Sequence, residues 1–68
     1  MVIYAVRATM VDGASVDLLQ FLDAADARDY AYYVTHECRL LGYDHVEIVE
    51  RRIIGKAEPV ERRTRVKR

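Results

Sequence analysis

The feature that most constrains this chain is a helical stripe within Asp23–Gly42, DAADARDYAYYVTHECRLLG. Ala24, Ala27, Ala31, Val34, Cys38 and Leu41 recur at steps of three and four. That spacing puts all six on one side of an α-helix. Asp23 suits the N-cap, where a side-chain oxygen accepts from free amides of the first turn. Asp26 extends the capping pattern and complements the positive helix N-terminus. Arg39 falls in the last turn, and Gly42 can take the left-handed conformation that ends a helix. The pattern predicts one helix of about eighteen residues, roughly 27 Å long. Its alanines let the first half approach a sheet closely, while Val34, Cys38 and Leu41 fill the second half.

A helix with one apolar side needs a sheet to lie on, and the flanking segments supply strands. Val2–Val11 alternates Val2, Tyr4, Val6, Ala8 and Met10 with Ile3, Ala5, Arg7, Thr9 and Val11. The first set should face the helix. Asp12-Gly13 favours a two-residue hairpin turn of type I′. A second strand over Ala14–Leu22 then runs back, with Leu19 and Phe21 inside and Val16, Leu18 and Leu22 outside. A longer loop would shift this register and swap the faces. His45–Ile54 reads as a third strand with Val46 and Ile48 inward.

The expected fold is α+β, with a β-β-α-β(-β) order in two layers. Its small mixed sheet has strand order 2-1-3, with β3 parallel to a central β1, and one helix covers one face. Residues 1–54 form the domain. Residues 55–68 form a basic segment that begins with a turn at Gly55–Pro59. This segment is either a tail or an edge strand, since Val60, Arg62, Thr64 and Val66 alternate with Glu61, Arg63, Arg65 and Lys67.

One helix cannot cover both faces. On the expected register Ile3, Ala5, Val16, Leu18, Leu22 and Ile53 lie on the open face, and such an apolar patch marks an interface. A chain of 68 residues buries a thin core, so a homodimer through this face is the expected arrangement.

Charge is divided along the chain. Residues 1–50 hold nine acids and three basic residues, a net −6; residues 51–68 hold two acids and eight basic residues, a net +6. Such asymmetry points to a charged partner or to self-assembly. The basic residues Arg62, Arg63, Arg65, Lys67 and Arg68 could neutralise phosphates. The acidic body and tyrosines that do not interleave with arginines argue against a stacking platform.

Catalytic chemistry has little footing. His36 and His45 are the two histidines, and with Cys38 they do not make a metal-ligand set. Cys38 reads as a small buried hydrophobe, and Ser15 sits in the hairpin turn. Asp26 and Asp29 belong to a solvated helix start. There is no GxGxxG or Walker loop. The expectation is a non-enzymatic protein with no cofactor and no metal. No apolar run approaches eighteen residues, and Met1–Met10 lacks the basic start of a signal peptide, so a cytoplasmic protein without membrane contact is expected.

The leading expectation is a protein-binding module of inhibitor or adaptor type, suited to a phage- or mobile-element-encoded accessory protein. It would act by occupying a partner's surface through the outward helix residues Tyr30, Tyr33, Glu37 and Leu40. The alternative is a nucleic-acid-binding module that uses the basic segment.

Overall fold

The computed structural model describes residues 1–53 and 60–67, and of Arg39 the backbone alone. Its elements run β1 (Val2–Met10), β2 (Ser15–Phe21), α1 (Ala24–His36), α2 (Cys38–Leu41), β3 (Tyr43–Arg52) and β4 (Val60–Val66). The expected turn at Gly55–Pro59, the strand end at Ile54 and Arg68 lie outside the described residues. The fold is α+β, one open four-stranded sheet in the order β2-β1-β3-β4 with helix on one face. The basic segment forms the edge strand β4.

The sheet is antiparallel throughout, which corrects the mixed sheet expected with β3 parallel to β1. The reason is directional. β1 and β2 form a hairpin, and α1 then carries the chain back along the sheet to the end where β1 finishes. Met10 pairs with Tyr43 there, so β3 must run against β1. The helical crossover joins β2 to β3, two parallel strands with β1 between them.

The first hairpin also departs from expectation. Its loop has three residues, Val11–Gly13. Gly13 donates to the Met10 carbonyl at 3.0 Å, and Met10 donates to the Ala14 carbonyl at 2.7 Å. Gly13 has φ +95°, whereas no described non-glycine residue has positive φ. A type I′ turn would need positive φ at Asp12 too, so the chain adopts a type I turn closed by a left-handed glycine. Near the turn the register is therefore shifted by one, and Ala8 pairs with Val16. A bulge between Val6 and Arg7 then restores the expected pairing of Val6 with Leu19 and Tyr4 with Phe21. Leu18 is the extra residue.

The long helix is interrupted. Asp23 caps it as expected, accepting from Ala25 at 2.7 Å and Asp26 at 3.4 Å. α1 stops at His36, and Glu37 turns out of helical geometry at φ −97°, ψ 8°. Val34 and Thr35 are β-branched, and the Thr35 hydroxyl donates back to the Ala31 carbonyl at 2.7 Å. Such back-bonding bends helices and favours a break here. One further turn, α2, ends at Gly42 with φ +78°.

Val6, Ala27, Ala31, Val34, Cys38 and Val46 make the fully buried core between helix and sheet. Tyr4, Leu18, Phe21, Tyr30, Tyr43, Ile48 and Val66 pack around it. Four of the six stripe residues thus lie in the core, and Ala24 at the helix start is half-buried. Leu41 is the exception, half-exposed beyond the break.

Candidate functional site

Cross-strand partners share a face, so the register sorts the whole sheet into transverse rows. On the helix side lie Val16–Ala8–Val46–Val66 and Leu19–Val6–Ile48–Thr64. On the open face lies Asp17–Arg7–Glu47–Arg65, a row of alternating charge. Two rows along the same face, past Ala5–Val49–Arg63, Arg51 faces Glu61, and their side chains meet at 3.1 Å. Arg7 and Asp17 meet at 2.6 Å. That hydrogen bond is the main cause that lowers the Asp17 pKa and raises that of Arg7.

The expected apolar open face is therefore corrected. Val16 and Leu18 lie on the helix side, because the shifted turn sets Val16 opposite Ala8 and the bulge turns Leu18 against the core. Leu22 follows β2 and is largely exposed. Ile53 extends the ladder past β3 by donating to the Met1 carbonyl at 3.0 Å. Ile3 and Ala5 do face outward with Val49, but Ala5 and Val49 are already buried at 3% and 0% exposure. What remains open is a charged surface, which an antiparallel sheet can present to water.

His45 sits at one end of this face. Its Nδ1 lies 2.8 Å from Asp44 and its Nε2 2.9 Å from Glu47. Only a protonated ring donates to both carboxylates. The bonds to Asp44 and then to Glu47 raise the His45 pKa, and the bond to His45 lowers that of Asp44.

The outward helix residues divide. Tyr33 and Leu40 are exposed, at 65% and 85%. Tyr30 instead lies against Phe21, with ring centroids 5.7 Å apart, and belongs to the rim of the core. Glu37 marks the helix break and is half-buried.

A concavity among the described residues lies elsewhere. One helix leaves the β4 side of a four-stranded sheet uncovered, and a groove of about 340 Å³ opens there. Tyr32, Ile48, Thr64 and Val66 line it together with Arg28, Arg65 and Lys67. Arg28 and Tyr32 are one turn apart on the flank of α1. Ile48 and Thr64 are cross-strand neighbours. The volume suits a few side chains of a ligand. Beside the groove runs β4, whose outer edge pairs with no strand among the described residues.

The basic residues of β4 are distributed over both faces by the strand period. Arg62 shares the helix side with Thr64 and Val66, and Arg63 and Arg65 share the open side with Glu61. Arg62, Arg63 and Lys67 form no ion pair within 4 Å among the described residues, and Arg65 reaches Asp44 only at 3.7 Å. The sequence reading had singled out these cations but missed Arg28, Tyr32, Ile48, Thr64 and Val66. An Arg and a Tyr four apart on a helix flank were the available signal.

Among the described residues no group of three or more His, Cys, Asp or Glu could hold a metal ion, and no helix is long and apolar enough to cross a membrane. Cys38 is a free, buried thiol. Comparison with family models, curated proteins and solved structures finds no match to this chain.

Proposed function

We propose that this chain is a small non-enzymatic protein-binding module, of inhibitor or adaptor type, that acts by occupying an acidic surface on a partner protein. Its working surface is the α1–β4 groove together with the basic edge of β4. One observation carries the reading: an apolar floor of Tyr32, Ile48 and Val66 is bordered by Arg28, Arg65 and Lys67 and adjoins a strand edge that pairs with no strand among the described residues. Apolar centre and polar border are the usual anatomy of a protein interface, where Tyr and Arg are enriched.

Two rival arrangements have less support. A dimer through the open face was expected from an apolar patch, and that face is charged. Nucleic-acid binding through the open face of the sheet would call for aromatic side chains among the cations of that face. Among the described residues Tyr4, Phe21, Tyr30 and Tyr43 pack on the helix side, and none faces outward beside Arg63 and Arg65.

The test is chemical-shift mapping of the labelled full chain. The probes are a twelve-residue peptide rich in Asp and Glu with interspersed Val, and a twelve-nucleotide single-stranded DNA. The expected result is a response to the peptide at Arg28, Tyr32, Ile48 and Val66, lost in the double variant Arg28→Ala, Lys67→Ala. Tighter binding of the DNA, with an affinity that collapses between about 50 and 200 mM salt, would overturn the reading in favour of nucleic acid. A response confined to Tyr33 and Leu40 would move the interface to the outer helix face.

A further inference from the structure

We infer that the partner contributes an extended acidic segment that pairs with β4 as a fifth strand, with aliphatic residues over the groove and acidic residues beside Arg63 and Arg65. This inference rests on the reading of the α1–β4 side as the binding surface, and it adds the mode of recognition and the pattern of the segment.

The backbone makes the first argument. β4 has seven residues, Val60–Val66, and among the described residues it is bonded to a strand, β3, on one side only. Such a strand presents roughly 23 Å of edge with alternate amides and carbonyls free. Extended peptides are captured at edges of this kind by main-chain hydrogen bonds, and pockets for alternate side chains give the specificity.

The side chains make the second. An added strand would have one set of residues on the helix side, next to Thr64 and Val66 and over the groove floor. Its other set would lie on the open side, next to Arg63 and Arg65. The first environment, Thr64 and Val66 over the groove floor with Arg62 two residues before Thr64, favours aliphatic residues along the groove, and the second favours carboxylates. Arg63 has no ion-pair partner within 4 Å among the described residues. The contact of Arg65 with Asp44 is long, and both groups are more than half exposed, so it can be exchanged for a carboxylate of the partner.

Charge also decides whose strand it is. Two copies joined β4 to β4 would bring Arg62, Arg63, Arg65 and Lys67 of each against those of the other, and like charges across a ladder destabilise it. The other edge strand of a second copy, β2, carries one acid, Asp17, already bonded to Arg7 at 2.6 Å. Neither edge strand among the described residues supplies the required segment, so the occupant proposed is a segment of a different protein. Edge cations also guard against aggregation. A basic edge that rejects its own kind and accepts an acidic strand serves both ends.

Hydrogen exchange on the labelled full chain tests this. The probe is a capped peptide Asp-Val-Glu-Val-Glu-Val-Asp, and the control has the same composition with its acids contiguous. At ten times the dissociation constant, alternate amides of β4 should exchange roughly tenfold more slowly, since protection follows occupancy. The control should bind more weakly. The double variant Arg63→Glu, Arg65→Glu should lose the acidic peptide and gain the Lys-for-acid version, a reversal that a loss of folding could not imitate. Groove shifts without β4 protection would overturn strand pairing while leaving the binding surface in place. A peptide that perturbs neither groove nor β4 would overturn both.

Discussion

Arg7 and Asp17 meet at 2.6 Å across β1 and β2 because Leu18 steps out of the ladder beside them. Without that bulge, the register that pairs Val6 with Leu19 would set Arg7 against Leu18 and turn Asp17 to the helix side. One extra residue thus packs a leucine against the core and places an aspartate on the open face. The Arg7 and Asp17 side chains are 17% and 33% exposed, so water still screens the pair. A double-mutant cycle of Arg7→Ala and Asp17→Ala should give a coupling of about 0.5–1 kcal/mol in urea denaturation at pH 7. The Asp17 pKa is lower folded than unfolded. Its contribution is therefore complete above about pH 4 and is lost as pH falls through the folded value. Repeating the cycle in acid should show the coupling shrink; a coupling that persists there would mean packing and not charge.

Asp23 carries the start of α1 through two amide bonds, and the shorter, to Ala25, is 2.7 Å. Asp23→Ala should destabilise the protein by about 1 kcal/mol, and Asp23→Asn by much less, since Asn caps almost as well. Thermal melts of the two variants check this. Equal losses would show that charge at the helix end matters more than the hydrogen bonds.

The helix stripe, the Asp23 cap and the Gly42 stop were legible because each depends on residues within one turn of one another. Ala27, Ala31, Val34 and Cys38 were therefore assigned to the core correctly, and strand alternation did the same for Val6 and Val46. The open face was misread because a face depends on register, and register depends on one φ angle at Asp12 and one bulge at Leu18. Neither leaves a periodic trace in the sequence. The orientation of β3 was deducible, since a hairpin followed by a returning helix leaves β3 antiparallel to β1. The groove was not deducible, because it forms where a helix is too narrow for the sheet beneath it, a property of no single segment.

His45 lies between Asp44 and Glu47, and its pKa is raised in the folded protein. The groups that face it are these two carboxylates, which favour the proton, and Arg65, which opposes it. A raised folded-state pKa makes its contribution complete below the unfolded value, about 6.5, and lost as pH rises through the folded value. Denaturation midpoints should therefore fall as pH is raised from neutrality through the folded His45 value, and His45→Gln should flatten that fall. An NMR titration placing the His45 pKa at or below the unfolded value would contradict the clamp.

Tyr30 and Tyr33 lie three residues apart on α1 and were equivalent as candidates for an outer interface. The structure separates them. Tyr30 packs on Phe21 at 5.7 Å and touches the core, whereas Tyr33 is 65% exposed. Tyr30→Ala should remove half-buried aromatic area and one ring pair, a loss of about 2 kcal/mol. In a domain of this size that lowers the melting temperature by roughly 10 °C. Tyr33→Ala should stay within about 0.5 kcal/mol of the parent, as exposed positions do. The comparison also guards the binding experiments. A Tyr30 variant that lost a partner would report weakened packing of α1 on β2, while a Tyr33 variant that lost it would place the partner on the outer face of the helix and away from the groove.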